Sequence, residues 1–259
     1  MTQVTGVVLA GSRPGADPLL AGSGVTTKSL LPVGGRPMLA YPLEALAEAG
    51  LCRRVLVCAQ RPQDLERTLQ AFAFSDARAS EASIAATLER LLKEEQGPLL
   101  VTTADNVLLT AEMVQYFVGQ ARGADVAVAM VERRTLEAAG YSTQRTWLSF
   151  RGGAWSGANL FWLAGPQCLP LIRFWASVEQ DRKKGWRIIS AFGPLLAVQA
   201  ALRLATIGTL VRRAGRRFGI AAKVVAIPQA EACIDADKPA DIVLIEQILA
   251  QRHAGTVGA

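Results

Sequence analysis

The sequence predicts a three-layer α/β/α sandwich on a mostly parallel, mixed sheet. At 259 residues, the chain is long enough to bury a substantial core. Its composition, 51% hydrophobic and 19% charged, is typical of a globular protein. Short apolar runs alternate with helical patterns as far as residue 130, which indicates strands joined by crossover helices. Because ligands of such sheets bind at the carboxyl ends of the strands, we expect the chemistry in the loops that follow them.

The first half of the chain alternates strands with helices. Val4 to Ala10 is a valine-rich run that ends at Gly11, which predicts a buried parallel strand followed by a loop. Pro37 opens a helical pattern that Gly50 closes, in agreement with the usual positions of proline and glycine. The other predicted elements of this half are strands at 55–59, 99–103 and 126–130 and helices at 64–72, 83–95 and 110–120.

The second half is less regular. Residues 146–150 and 159–163 flank a Gly152-Gly153 turn and predict a hairpin, and a helical stretch is expected around 174–187. Residues 191–211 are apolar enough to resemble a membrane span, which needs about 20 apolar residues. Pro194, Gly208 and the central Arg203 favour a buried or surface-docked helix instead. A late strand at 224–227 and a closing helix from Pro239 to about 250 complete the chain.

Cysteine and histidine usage excludes several kinds of site. The four cysteines form no CxxC pair, so we expect buried hydrophobic side chains rather than a zinc site or disulfides. The only histidine, His253, is expected to be exposed and mobile beyond the last helix, which disfavours a mechanism with a histidine base. The first residues lack the basic start of a signal peptide, so we expect a cytoplasmic protein.

The net charge of +6 is regional. Residues 171–223 hold eleven basic and two acidic side chains, whereas the other 206 residues hold 17 basic and 20 acidic ones. This distribution predicts an anionic partner for one segment and argues against a nucleic-acid-binding coat. One interpretation is a solvated basic face beside residues 191–211. The other is peripheral contact with an anionic membrane, at the inner face, through four arginines: Arg212, Arg213, Arg216 and Arg217.

The loop between Gly11 and Lys28 is the most informative stretch. It holds four glycines, Arg13 and Lys28. Glycines allow backbone N–H groups to approach phosphate oxygens, and the two cations add positive charge. Composition alone also fits a mobile polar loop. The spacing around Lys28 imitates a P-loop, but Thr27 stands where that motif has its second glycine, so a P-loop enzyme is disfavoured.

Several motifs together resemble the MobA-like NTP transferases, a nucleotidyltransferase family with a GT-A-type, Rossmann-like fold. The first part of the resemblance is LAG at 9–11, then Arg13, then Lys28 within KSLLPVGGRPML. Ser12 departs from the LAGG pattern, and the loop before Lys28 is unusually long. The resemblance implies a set of nucleotide-binding residues, of which Lys28, Arg13 and Asp105 are catalytic: Leu9, Ala10, Gly11, Ser12, Arg13, Lys28, Ser80, Ser83, Thr103 and Asp105.

Two acidic motifs resemble the magnesium site of the same family. VTTADN contains Asp105 at a strand end, and IDADKPADIVLIEQIL contains Asp235 four residues before a proline. Asp235 matches the family spacing better, and Asp237 is a second candidate. Two aspartates far apart in sequence, each at a strand end, could share one Mg²⁺ at a single sheet edge. Asp237 could instead cap the closing helix, and Asp105 could be a turn residue.

Further residues have weaker correspondences. Ser80 and Ser83 resemble the helix start that contacts the base in related cytidylyltransferases, although a serine there could simply be a cap. Arg145, Arg151 and Asn159 occupy the region where the family recognises its acceptor, although exposed hairpin arginines are common. We expect one domain, 1–259, with a nucleotide-binding half at 1–130 and an acceptor-binding half at 131–259 that includes a basic helical insertion at 171–223.

The predicted activity is Mg²⁺-dependent transfer of a nucleoside monophosphate from an NTP to a phosphorylated small molecule, with release of pyrophosphate. The Ser83-Ile84 resemblance slightly favours CTP. Two alternatives remain at this point. One is a GT-A glycosyltransferase that uses Asp235-Ala236-Asp237 as a DxD motif, and the other is a non-catalytic nucleotide-binding protein. The sequence leaves the acceptor and the oligomeric state open.

Overall fold

An eight-stranded sheet organises the chain in a computed structural model that describes residues 4–12, 17–20, 22–141, 143–178 and 193–257. The strands are β1 (Val4–Leu9), β2 (Pro32–Val33), β3 (Arg36–Pro37), β4 (Cys52–Ala59), β5 (Ser75–Ala79), β6 (Leu99–Thr103), β7 (Val126–Glu132), β8 (Leu148–Phe150), β9 (Gly153–Leu163) and β10 (Ala222–Ala226). The α-helices are α1 (Ala40–Ala49), α2 (Glu66–Leu69), α3 (Ile84–Glu95), α4 (Ala111–Ala121), α5 (Arg133–Ala138), α6 (Leu169–Val178), α7 (Pro194–Ala201), α8 (Ile207–Arg216) and α9 (Pro239–Val257).

The large sheet is mostly parallel. Its strand order is β10-β7-β9-β6-β1-β4-β5, with β8 paired to β9. β1 pairs in parallel with β4 and β6, and β10 pairs in parallel with β7. β9 runs antiparallel to both β6 and β7 and therefore joins the two parallel parts. The carboxyl ends of β1, β4, β5 and β6 consequently share one edge.

Side chains on the two faces of the sheet build two cores. Val8 and Leu100 belong to the larger core, with buried residues of α1, α4 and α9, and Phe117 of α4 is fully buried there. Val7 and Val101 belong to the second core, with α3 and α6. Neighbouring residues of one strand point to opposite faces, so helices cover both sides. This arrangement confirms the predicted three-layer sandwich.

Some predicted boundaries in the first half are wrong. Pro37 does not open a helix but pairs with Pro32 in the β2–β3 hairpin, whose turn uses the positive φ angles of Gly34 and Gly35. α1 therefore starts at Ala40. The helix predicted at 64–72 shortens to α2 after a 3₁₀ turn at Pro62–Leu65. β5 and α5 lacked a sequence signal, since β5 is an edge strand with no buried side chains.

In the second half the predicted hairpin is confirmed as β8 and β9, with β9 longer than expected. The apolar segment forms two helices, α7 and α8, because the chain turns at Arg203, whose φ is 53°. α6 ends at Val178, and the rest of the predicted helix at 174–187 lies outside the described residues. Within the described ranges, no helix combines the length and apolarity needed to cross a bilayer.

The closing helix differs from its prediction at the C-terminal end. α9 continues to Val257, so the expectation that His253 lies beyond the last helix is wrong. The His253 ring is exposed, as expected, and its Nδ1 lies 2.7 Å from the carbonyl oxygen of Leu249, one helical turn earlier.

Candidate functional site

The site lies where the central strands end. Backbone hydrogen bonds continue one residue past the strands: the Ala10 N–H donates to Cys58, the Ala104 N–H to Leu9 and the Ser80 N–H to Ala59. These bonds align the carboxyl ends of β1, β4, β5 and β6. Leu9, Ala10, Ser80 and Thr103 therefore lie at the one edge that the sequence predicted.

Three aspartates meet at this edge. One carboxylate oxygen from each of Asp105, Asp235 and Asp237 lies within 4.8 Å of the other two. The Ala236 N–H donates to the Asp105 carbonyl at 3.1 Å and ties the two segments together. Asp235 does not end a strand, as the sequence suggested, but follows the 3₁₀ turn at Ala230–Cys233 beyond β10. The structure thus brings together all three predicted metal ligands.

Lys28 contacts two of these carboxylates. Its Nζ lies 3.1 Å from Asp105 Oδ2 and 2.7 Å from Asp237 Oδ1, and its side chain is 17% exposed. Burial acts to lower the pKa of Lys28, but the two carboxylates outweigh it, so the pKa is raised above its usual value. Lys28 is therefore a permanent cation inside the aspartate cluster. Asp237, which could have been only a helix cap, is an ion-pair partner of the site.

Asp235 is held by two residues that the sequence assigned to acceptor binding. Arg145 forms a nearly buried ion pair with Asp235 Oδ1, and Asn159 Nδ2 donates to Asp235 Oδ2 at 3.1 Å. Burial raises the pKa of Asp235, and the neighbouring Asp237 and Asp105 add to that rise, whereas Arg145 opposes it. Arg151 lies elsewhere, at the tip of the β8–β9 hairpin. Sequence reasoning missed the ion pair because its partners are 90 residues apart.

The aspartate cluster fits a hard divalent cation. Asp105 Oδ1 is buried and has no hydrogen-bond partner among the residues that the structure describes. Such an atom costs stability unless a ligand or water satisfies it. Carboxylate oxygens are the ligands that Mg²⁺ prefers. Three carboxylates against Lys28 and Arg145 leave one excess negative charge, which also favours a cation.

Gln60, which sequence reasoning missed, braces the glycine-rich loop. The Ser12 N–H donates to Gln60 Oε1 at 3.0 Å, and Gln60 Nε2 donates to the Ser12 carbonyl at 2.9 Å. A Cβ on Gly11 would come within 3.0 Å of the Gln60 amide, so the close approach suits a glycine. Arg13 lies outside the described residues. The only sequence signal for Gln60 was its position directly after β4.

Three hydroxyl groups predicted to bind the nucleotide differ in their hydrogen bonding. Ser83 Oγ accepts a hydrogen bond from the Ala86 N–H at 3.1 Å and caps α3, so the capping interpretation is confirmed. Ser80 Oγ and Thr103 Oγ1 are buried without hydrogen-bond partners in the described part of the chain. These two hydroxyls at the carboxyl edge are therefore available to a ligand.

Asn106 is a second residue that sequence reasoning missed. Its side chain is 1% exposed, and its Nδ2 donates to Thr102 Oγ1 and to the Ala158 carbonyl, both at 3.2 Å. These bonds fasten the loop that carries Asp105 to β9, next to Asn159. The sequence signal was its place beside Asp105.

A mixed α/β sheet with a glycine-rich loop, a half-buried lysine and clustered aspartates at its carboxyl edge is typical of nucleotide-binding enzymes. A family model, the MobA-like NTP transferase domain, matches residues 6–194, and the chain belongs to this family. It is therefore a nucleotidyltransferase, which favours neither the glycosyltransferase nor the non-catalytic alternative.

Curated relatives and solved structures agree with this assignment. Bifunctional GlmU proteins from Anaeromyxobacter dehalogenans (strain 2CP-C) and Anaeromyxobacter sp. (strain K) are each 32% identical over 133 residues. The match covers 46% of this chain but only 27% of each relative. A hypothetical transferase from Thermus thermophilus has a TM-score of 0.77 and 28% identity, over 93% of this chain and 99% of that one.

One solved relative shares the fold alone. A CMP:2-keto-3-deoxy-manno-octonic acid synthetase complexed with CTP has a TM-score of 0.59 at 14% identity. The match covers 97% of this chain and 100% of that one.

Proposed function

We propose that this protein transfers a nucleoside monophosphate from an NTP, with CTP slightly favoured, to a phosphorylated small molecule and releases pyrophosphate. The observation that carries the proposal is a cluster of three aspartates at the carboxyl edge, two of which contact Lys28, beside the glycine-rich loop. Because Ser83 is engaged as a cap, Ser80 Oγ is the better candidate for contact with the base.

Asp105 and Asp235 would hold Mg²⁺, with Asp237 as a further carboxylate. Bound there, Mg²⁺ would neutralise charge on the α-phosphate and help to align the nucleotide. Asp105 offers its Oδ1, which has no hydrogen-bond partner among the described residues. Arg145 and Asn159 fix the orientation of the Asp235 carboxylate, so we propose that they act on the reaction through Asp235 rather than by touching the acceptor.

Lys28 and the loop that carries Arg13 would bind the phosphates of the leaving pyrophosphate and stabilise its growing charge. The acceptor contributes a phosphate oxygen that attacks the α-phosphorus, and the bond to the pyrophosphate oxygen breaks. A phosphate is already ionised at neutral pH, so no side chain has to remove a proton from it. Arg151 remains the candidate for contact with the acceptor phosphate, since a guanidinium suits that group.

The direct test measures pyrophosphate release from each of the four common NTPs with phosphorylated polyols, sugars, inositols and phosphonates. Lys28→Ala and Asp105→Ala should each lower the rate by orders of magnitude, because each removes charge stabilisation or alignment in the transition state. Lys223→Ala and Asp76→Ala, at exposed positions on β10 and β5, are the matched controls. Thermal unfolding of all four variants checks that they fold.

Three outcomes would contradict the proposal. One is a wild-type rate in the Lys28 or Asp105 variant. Another is release of a nucleoside diphosphate from a nucleotide sugar in place of pyrophosphate release, which is the glycosyltransferase reaction. The last is the absence of turnover with every NTP and acceptor.

A further inference from the structure

α8 carries a basic surface that the nucleotidyl site does not use. Ile207 and Leu210 of α8 are buried against the rest of the protein, whereas three arginines on the outer side are exposed. These three residues, the arginine face, are Arg212, Arg213 and Arg216. Together with Thr209 they line a cavity of about 400 Å³.

Large apolar side chains are exposed beside the arginine face. They form the apolar rim, which consists of Val198 at 48%, Leu202 at 63% and Leu204 at 58% exposure. The rim holds three of the six large hydrophobic residues exposed in the described ranges. Arg213 donates to the side chain of Gln199, and a second cavity of about 290 Å³ is lined by Leu204 and Arg213 together. The arginines and the leucines therefore belong to one continuous surface.

The stretch of chain that forms this surface is strongly basic. Residues 193–223 contain five arginines, one lysine and no acidic residue. Arg203 and the three residues of the arginine face form no ion pair with a carboxylate anywhere in the described part of the chain. Exposed leucines next to arginines that form no ion pair within the described ranges match the two layers of a lipid surface, which is anionic outside and apolar beneath.

We propose that the arginine face and the apolar rim dock on an anionic phospholipid bilayer, with the arginines on the headgroup phosphates and the rim in the interfacial layer. A second copy of this chain would bring like charges together, which opposes a symmetric dimer through this surface. A nucleic acid would pair with the arginines but would leave Leu202 and Leu204 in water. The lipid surface satisfies both parts of the patch.

Docking of this kind would hold the nucleotidyl site near the bilayer. Phe150, at the end of β8, packs against Ala205 and Leu210 of the α7–α8 region, and the Arg151 N–H donates to the Ala205 carbonyl at 3.1 Å. The same hairpin continues along β9 to Asn159, beside Asp235. A nucleotide-activated product released there would be close to any membrane-bound molecule that consumes it.

The test is co-sedimentation of the full chain with vesicles, at low ionic strength. One set contains phosphatidylcholine alone, and the other contains phosphatidylcholine and phosphatidylserine in equal amounts. We expect the wild type to bind only the second set, and binding should weaken as salt is added. Arg212→Gln/Arg213→Gln/Arg216→Gln should bind roughly hundredfold more weakly, as expected for three basic residues at such a surface. The charge-matched control is Arg67→Gln/Arg122→Gln/Arg134→Gln, which should bind like the wild type.

A second pair of variants tests the apolar rim. Leu202→Ser/Leu204→Ser should weaken vesicle binding roughly tenfold, because it removes apolar area that the bilayer would bury. Val243→Ser, at an exposed position of α9, should not weaken it. The proposal is overturned if the wild type ignores the anionic vesicles, or if the control triple variant loses as much binding as the test variant. It is also overturned if glycerol phosphate displaces the protein from the vesicles, which would indicate a free phosphate ligand, or if duplex DNA binds more tightly than the vesicles. Circular dichroism melting confirms that every variant folds.

Discussion

Replacement of Lys28 by methionine should raise the affinity of the nucleotide-free protein for a divalent cation. Lys28 Nζ lies against Asp105 and Asp237, two of the three carboxylates that would hold Mg²⁺. In the absence of nucleotide, an incoming cation has to displace this ammonium group or bind beside it. Methionine keeps much of the length of the side chain and removes the competing charge. The same change should abolish pyrophosphate release, because the phosphates lose a cation.

The expected gain in cation affinity follows from the Lys28 contacts that an incoming cation must replace in the wild type. A hydrogen bond to a charged group contributes about 1.5–3 kcal/mol. The contact with Asp237, whose side chain is 43% exposed, is screened by solvent and adds little, whereas Lys28 and Asp105 are 17% and 23% exposed. We therefore count one contact. A gain of about 1.5–3 kcal/mol corresponds to about 10- to 150-fold tighter binding.

The assay is titration with Mn²⁺, followed by electron paramagnetic resonance, at neutral pH and without nucleotide. Lys223→Met on β10 is the control for loss of a lysine, and its affinity should match that of the wild type. Asp105→Asn should bind Mn²⁺ more weakly than the wild type, which locates the ion. If a folded Lys28→Met protein bound Mn²⁺ no more tightly than the wild type, competition between Lys28 and the cation would be refuted, even if pyrophosphate release is lost.

The remaining predictions concern stability and thiol reactivity. Glu95→Gln should destabilise the protein by about 2 kcal/mol in urea unfolding at neutral pH, because the nearly buried Glu95 carboxylate accepts hydrogen bonds from Thr5 and two arginines. Burial opposes ionisation, but these bonds outweigh it and hold the Glu95 pKa below its usual value. This stabilisation is present above the unfolded-state pKa of about 4.3 and disappears as the pH falls through the lower folded-state pKa. If wild type and Glu95→Gln differed in unfolding free energy as much in acid as at neutral pH, the prediction would be contradicted. Gly215→Ala should cost about 1–3 kcal/mol, since the new Cβ would lie 2.7 Å from a backbone oxygen, whereas Gly208→Ala on the same helix meets nothing within 4 Å and should stabilise slightly. Native protein should react slowly with a thiol reagent at mildly alkaline pH, and fast labelling would contradict this, because burial raises the pKa to about 11 in three cysteines: Cys52, Cys58 and Cys233.

The sequence predicted the sheet best where strands are buried on both faces. β6 matches its prediction because Leu99 to Thr103 is a short apolar run that ends at a polar residue. β5 escaped detection because an edge strand with exposed side chains has no hydrophobic pattern. Pro37 was misassigned because proline suits both a helix start and a short hairpin strand, and only the Gly34-Gly35 turn before it decides between them. Local sequence patterns therefore predict strands and helices whose side chains are uniformly buried. They do not predict elements such as β3 and β5, whose conformation depends on pairing with a distant or neighbouring strand.

Local sequence patterns likewise predicted which residues belong to the candidate site but not which residues contact them. Parallel strands share one carboxyl edge, so Asp105 and the loop after Gly11 could be predicted to lie close together, and the family resemblance added Lys28 and Asp235 to that edge. Their counter-charges could not, because a motif states a residue type and not its partner. Arg145 reaches Asp235 from an irregular segment between α5 and β8, and it had been assigned to the acceptor.

The contacts nevertheless suggest how a cation would enter the cluster. Asp235 Oδ1 forms an ion pair with Arg145 and Asp235 Oδ2 accepts a hydrogen bond from Asn159, whereas Asp237 forms an ion pair with Lys28. Asp105 Oδ1 is buried and has no hydrogen-bond partner in the described chain. Asp105 would hold the cation, and Lys28, which lies against the same carboxylate, would then be free to contact the nucleotide phosphates. Asp105 would therefore be the carboxylate whose loss the site tolerates least.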